Sequence, residues 1–240
     1  MTCVKPPAIA YTPAMLARLA HSHAAFELSE RLMSEVSTYA DCFGRGAFLT
    51  EQAATAAADA AALLEAAVIA DRLRGAAWSN VAEALATSPG DARERFAPAE
   101  QEFRDALLFP HRYSENGGLG YTVAPYAVEE PDRVREQLDA WVVEHRRSSG
   151  PDRDEPQPVT RGLTAMSATW IVERMSQVLS LTDALIKRSL PAGVSYEQAR
   201  RRHAELKVQL YEAMAANRPE DREVGIQLRA ARADLAEFTA

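Results

Sequence analysis

The residues best suited to chemistry in this sequence are hydrogen-bond donors gathered between Trp78 and Phe96: Ser79, Asn80, Ser88, Arg93 and Arg95. Ser88, followed by Pro89 and Asp91, has the pattern of a helix start. It supplies a hydroxyl cap, a proline where no intrahelical N–H is needed, and an acid at the third helical position. A helix opening there displays Arg93 and Arg95 early on its surface. A guanidinium at such a position suits a base edge or a phosphate oxygen, and Ser88 with the free N–H groups of the helix start suits a phosphate. Arg93 is the better candidate for the base edge. Arg95 is the better candidate for a backbone phosphate, or for a salt bridge to Glu94 or Asp91. Pro89, Gly90 and Asp91 work against both, because the first two offer no side-chain donor and the third repels phosphate. The competing assignment for both arginines is solvated surface charge.

Catalytic arrangements are missing from the sequence. H-E-x-x-H, G-x-S-x-G and C-x-x-C do not occur. His21 and His23 are two apart and point in different directions on a helix, unlike the i, i+4 pair that holds zinc. The glycines of Gly117-Gly118-Leu119-Gly120 lack both the Walker lysine and the full dinucleotide fingerprint. His111, Arg112, Tyr113 and Tyr121 nearby could line a small-molecule pocket, but no constellation requires one. Glu129 and Glu130 sit where acids are favoured at a helix start. Cys3 and Cys42 have no metal-ligand spacing and suggest no disulfide framework. The expectation is a protein with no catalytic residue, no metal and no cofactor.

Helices must position the donors. Trp78, Val81, Ala82 and Leu85 recur at i, i+3, i+4 and i+7, the stripe of a half-buried helix, and Ala92 and Phe96 continue an apolar stripe beyond the Thr87-Ser88 break. The segment GAAWSNVAEALATSPGDARERF, residues 75–96, resembles the helix-turn-helix segments reading G-x-x-W-x-x-I-(A/G)-x-x-L-x-x-S-x-x-x-x-x-x-R-F that are common in bacterial regulators. That resemblance implies a recognition helix opening at Ser88, with double-stranded DNA as the partner. It also implies that Ser79 and Asn80 touch phosphate from the helix that crosses the backbone. Related segments commonly carry Arg, Gln or Lys just after the serine, where this chain has Pro89, Gly90 and Asp91.

The remaining chain reads as helix nearly everywhere, because alanine is abundant and β-branched and aromatic residues are sparse. Helices are expected from Pro13 to about Ala40, from Thr50 to about Arg74 with Gly75 as the stop, and from Pro98 to Leu108. Another should start at Glu129-Glu130-Pro131 and end near Arg147. Asn116-Gly117, between short aromatic and β-branched segments, predicts one small hairpin within residues 109–128. Residues 148–161, rich in Pro, Ser, Gly and charge, read as a linker. Past it, apolar residues recur at three and four from Thr164 through Leu190, from Ser195-x-x-Gln198 to Met214, and from Val224 to Phe238. That spacing marks a helical hairpin or short coiled coil, formed within one chain or between two. Arg200-Arg201-Arg202 fans around its helix rather than forming one face. His145-Arg146-Arg147 sits at a helix C-terminus, where the dipole favours cations.

The expected class is therefore all-α. A domain at 1–147 contains the helix-turn-helix at about 78–96, a linker covers 148–161, and a helical hairpin or bundle covers 162–240 as a dimerisation domain. A net charge of −7 excludes indiscriminate polyanion binding but leaves room for a local basic face. No apolar run approaches the roughly 18 residues that cross a bilayer, and the N-terminus lacks a secretion-signal plan, so a cytoplasmic location without a membrane partner is expected. The leading functional expectation is a homodimeric DNA-binding transcriptional regulator. The alternative is a non-enzymatic adaptor or assembly protein, with the helix-turn-helix reduced to scaffold and a protein partner on the C-terminal helices.

Overall fold

The structure, a computed structural model, describes residues 11–37, 46–112, 121–122, 124–145, 154–166, 170–217 and 221–238. Over these residues the chain is all-α apart from one minimal strand pair. In order come α1 (Pro13–Ser34), α2 (Phe48–Leu73), α3 (Trp78–Ala84), α4 (Pro89–Leu108), β1 (His111–Arg112), β2 (Tyr121–Thr122), α5 (Tyr126–Glu129), α6 (Pro131–His145), α7 (Pro158–Thr164), α8 (Trp170–Lys187), α9 (Tyr196–Asn217) and α10 (Arg222–Ala236).

Several boundaries differ from expectation. Helix α1 stops at Ser34, short of Ala40. The largest difference is at Pro98, which does not open a new helix but lies inside α4. An internal proline removes one hydrogen bond and crowds the preceding turn, at about 3 kcal/mol. The buried rings of Phe96 and Phe103 on either side of Pro98 anchor the helix through it. The strands β1 and β2 pair antiparallel, His111 opposite Thr122 and Arg112 opposite Tyr121. The Asn116-Gly117 turn lies outside the described residues.

Helix α2 also departs from expectation. In length and apolar composition it could cross a membrane. Its alanines make it so, and its last turns, with Val68, Ile69 and Ala70, are buried within the protein.

Internal contacts divide the chain into two compact units. One comprises Pro13–Phe103 and Pro125–Leu163, the other Met1–Thr12, Arg104–Ala124 and Thr164–Ala240. The last of these cuts, before Thr164, lies close to the expected start of the C-terminal domain at 162, but Met1–Thr12 and Arg104–Ala124 group with that domain. In the first unit α1 packs on α2, α5 and α6. Trp141 of α6 reaches α1 by donating its indole N–H to Glu30 Oε1 at 2.8 Å and meeting Phe26 edge-on at 5.8 Å. The end of the expected linker is instead α7. Asp139 Oδ1 of α6 accepts the Val159 and Thr160 N–H groups at 2.7 and 3.1 Å, capping α7 from another helix. Leu163 is then fully buried. Residues 148–153 lie outside the described residues.

In the second unit α9 packs against both α8 and α10, so these helices pair within the chain. Leu181, Ala199, Leu206 and Phe109 form its core. The capping box expected at Ser195 is present, with Gln198 N–H donating to Ser195 Oγ at 3.1 Å and Ser195 N–H to Gln198 Oε1 at 2.9 Å. Asp221 caps α10 by accepting the Glu223 and Val224 N–H groups.

Candidate nucleic-acid interface

The donors singled out in the sequence are carried by α3 and α4, which rest on the end of α2. Val68 of α2, Val81 and Ala82 of α3, and Ala92 and Phe96 of α4 are buried together, with Leu64, Trp78 and Leu85 packed around them. Trp78, Val81, Ala82 and Leu85 are the residues of the periodic stripe, so the pattern marked the inward face correctly.

Two left-handed residues turn the chain between these helices. Gly75, at φ +98, ends α2: its N–H donates to Arg72 O and that of Ala76 to Asp71 O, both at 3.0 Å. The turn at 85–88 repeats this arrangement. Ala86 at φ +51 donates to Glu83 O at 3.2 Å, and Thr87 donates to Ala82 O at 3.0 Å. Together these bonds satisfy the last carbonyls of each helix, in the manner usually reserved for glycine. Then α4 begins, with Asp91 N–H donating to Ser88 Oγ at 3.1 Å.

A contact without a sequence signal braces the assembly. Arg72 Nε donates to the buried Glu100 Oε2 of α4 at 3.1 Å, and its guanidinium lies 4.4 Å from the centre of the Trp78 ring. It also donates to the Ala76 carbonyl. One side chain thus joins α2, the loop, α3 and α4. Arg72 and Glu100 are 28 residues apart, which no local periodicity reaches.

The five candidate donors are all exposed, but they are not equally available. Asn80 Oδ1 accepts the Ala77 N–H at 2.9 Å and caps α3, which leaves its amide N–H groups for a ligand. Ser88 Oγ, besides accepting from Asp91, donates to Asp91 Oδ2 at 2.8 Å, so its proton is already engaged. Asp91 also places a carboxylate at the helix start where a phosphate would bind. Arg95 lies over the Phe96 ring at 4.7 Å. Ser79 stands on the outer side of α3. Arg93 lines a shallow groove on α4 with Gly90, Glu94, Ala97, Pro98 and Gln101, and has no side-chain partner among the described residues.

The groove can offer one guanidinium, with the Glu94 carboxylate beside it. Such a surface can make a few directed contacts to a polyanion but has little general attraction for one. Among the described residues no cluster of His, Cys, Asp and Glu is arranged to hold a metal ion. Comparison of the chain with protein-family models, with curated proteins and with solved structures finds no match.

Proposed function

We propose that the protein is a DNA-binding regulator that uses α3 and α4 as a helix-turn-helix and acts as a homodimer. The observation that carries this reading is the shared core of α2, α3 and α4. It buries the apolar stripe of both helices and leaves Ser79, Asn80, Arg93 and Arg95 on the outside. In this reading α4 enters the major groove with Arg93 toward a base edge and Arg95 toward a phosphate, while α3 crosses the backbone. Few phosphate contacts and the Asp91 and Glu94 carboxylates make one half-site weak. Two half-sites on one duplex compensate through effective concentration, which is the role of dimerisation.

A second reading, a non-enzymatic adaptor that binds a protein partner, is favoured by the acidic surroundings of Arg93. Paired measurements on wild type and the Arg93→Ala/Arg95→Ala variant separate the two. Under the regulator reading, wild type retains a small set of genomic fragments at physiological salt. The variant loses that retention, and its log K against log salt slope flattens by about one per lost phosphate contact. Folded wild type that retains no fragment at physiological salt would sink the regulator and leave the adaptor.

A further inference from the structure

Three nitrogens in the second unit break the rule that buried donors are satisfied. Trp170 Nε1, Arg174 Nε and Arg202 Nε are shielded from solvent and have no hydrogen-bond partner among the described residues. Buried polar groups in native proteins are overwhelmingly paired, and a persistent exception points to a bound water or ion. These three belong together. The Arg174 guanidinium lies 5.0 Å from the centre of the Trp170 ring, and α8, which carries both, packs against α9, which carries Arg202.

Local charge is unbalanced. Arg174 Nη1 donates to Gln177 Oε1 at 2.9 Å, a neutral amide. Arg202 donates to Glu205 at 3.0 Å and to the Leu107 carbonyl at 3.3 Å, and Glu205 is shared with Arg201 at 3.3 Å. Burial, followed by the charge of Arg202, pulls the Arg174 guanidinium down to about 10. Arg202 shares its carboxylate with Arg201, and Arg174 has a neutral amide partner, so the guanidiniums are incompletely compensated, which is costly for buried charge.

We infer that Trp170, Arg174 and Arg202 form a binding site for a small oxyanion, with a phosphate group as the ligand class. Every orphaned group is a donor, so the ligand must be an acceptor. Arg174, bonded to a neutral amide, calls for negative charge, which water lacks. A tetrahedral phosphate presents several acceptor oxygens at once to donors carried on two packed helices, and arginine forks match it. The three residues are only partly buried although these nitrogens are covered. The site does not depend on α3 or α4, and it stands whether or not the protein binds DNA.

The test uses the 15N-labelled full chain and its three indole N–H resonances, assigned with Trp170→Phe. Inorganic phosphate is titrated against sodium chloride and sodium acetate at matched ionic strength. The expected result is a saturable shift of the Trp170 indole in phosphate alone, with Trp78 and Trp141 unmoved. Trp141 is a fitting control because its indole N–H is already bonded to Glu30. Arg174→Gln and Arg202→Gln should each weaken phosphate binding by about tenfold or more, the loss of a charge-assisted hydrogen bond. The wild-type titration decides by itself if either variant fails to fold. No shift beyond that in chloride, or a common drift of all three indoles, would overturn the site. An equal response to acetate would overturn the phosphate assignment.

Discussion

At the scale of single residues, Ala86 carries the most strain relevant to the proposed interface. Its φ of +51 lies in the left-handed region, where a β-carbon costs roughly 1 kcal/mol or more. Gly75 occupies the equivalent place after α2 without that cost. The turn at 85–88 nevertheless closes, because Ala86 and Thr87 satisfy the last carbonyls of α3 and the buried Val81, Ala82 and Ala92 hold both helices on α2. Ala86→Gly should therefore stabilise the protein. The gain is about 0.5–1 kcal/mol, the relief of the β-carbon less the entropy that glycine adds to the unfolded chain. Thermal unfolding should show a midpoint about 1–4 °C higher for a chain of this size. A lower midpoint would mean that the methyl group is making a favourable contact that outweighs its strain. The candidate donors show the limit of reading residues singly. Ser88 was legible as a cap but not as a hydroxyl already engaged by Asp91, because the rotamer that closes that bond is not written in the spacing. Arg72 was invisible altogether, since its value lies in reaching Glu100 and Trp78 across the fold.

At the scale of elements, α8 poses the main question. Val172, Leu179 and Ile186 are 63, 62 and 76 % exposed, and Met175 joins them on one long stripe. The other side of the helix, with Leu181, is buried in its own unit. The occupant that fits the stripe best is a second α8 running antiparallel. Leu179 lies midway between Val172 and Ile186, so a two-fold axis there sets Val172 of each copy against Ile186 of the other. An antiparallel crossing also brings opposite helix-dipole ends of the two copies together. Leu179→Glu places two carboxylates on that axis. Sedimentation equilibrium should report a dimer for wild type and a monomer for the variant at tens of micromolar, with helical content unchanged by circular dichroism. A wild-type monomer would remove the dimer from the proposed function. Elements were the most legible level of this chain, because caps and stripes are local. The failures are also physical. Local chain preference makes Pro98 a boundary, whereas the buried Phe96 and Phe103 carry the helix past it. The first part of α7, residues 158–161, has the composition of a linker because its cap, Asp139, comes from another helix.

At the scale of the whole molecule, the sequence suggested two consecutive domains, yet contacts assemble two units from interleaved stretches. Composition shifts find linkers, but they cannot reveal which distant stretches share a core, so this level was the least legible. The division bears on how acid should act on the protein, because each unit contains one half-buried histidine that resists protonation. Burial lowers the pKa of His21 in the first unit, with Arg18 adding to the effect and Asp71 opposing it. Burial likewise lowers that of His203 in the second, with Lys207 adding and Asp234 opposing. Thr182 Oγ1 donates to the Val178 carbonyl at 2.8 Å, so at 2.9 Å it can only accept from His203 Nε2–H. That bond holds the ring without requiring its charge. A folded pKa below the ordinary 6.5 means that the unfolded chain takes up protons first as the pH falls. The stabilisation from keeping both rings neutral is therefore fully present above pH 6.5 and is lost as the pH drops from there through the lowered folded values. Urea unfolding at about pH 7.5 and about pH 5.5, a window in which ordinary carboxylates stay ionised in both states, should show lower stability at the acid end. His21→Gln with His203→Gln removes both titrations, while the glutamine at 203 can still donate to Thr182. The double variant should lose most of the difference between the two pH values, and each single variant part of it. If the double variant kept the full wild-type difference, the acid sensitivity would have to come from groups other than these two rings.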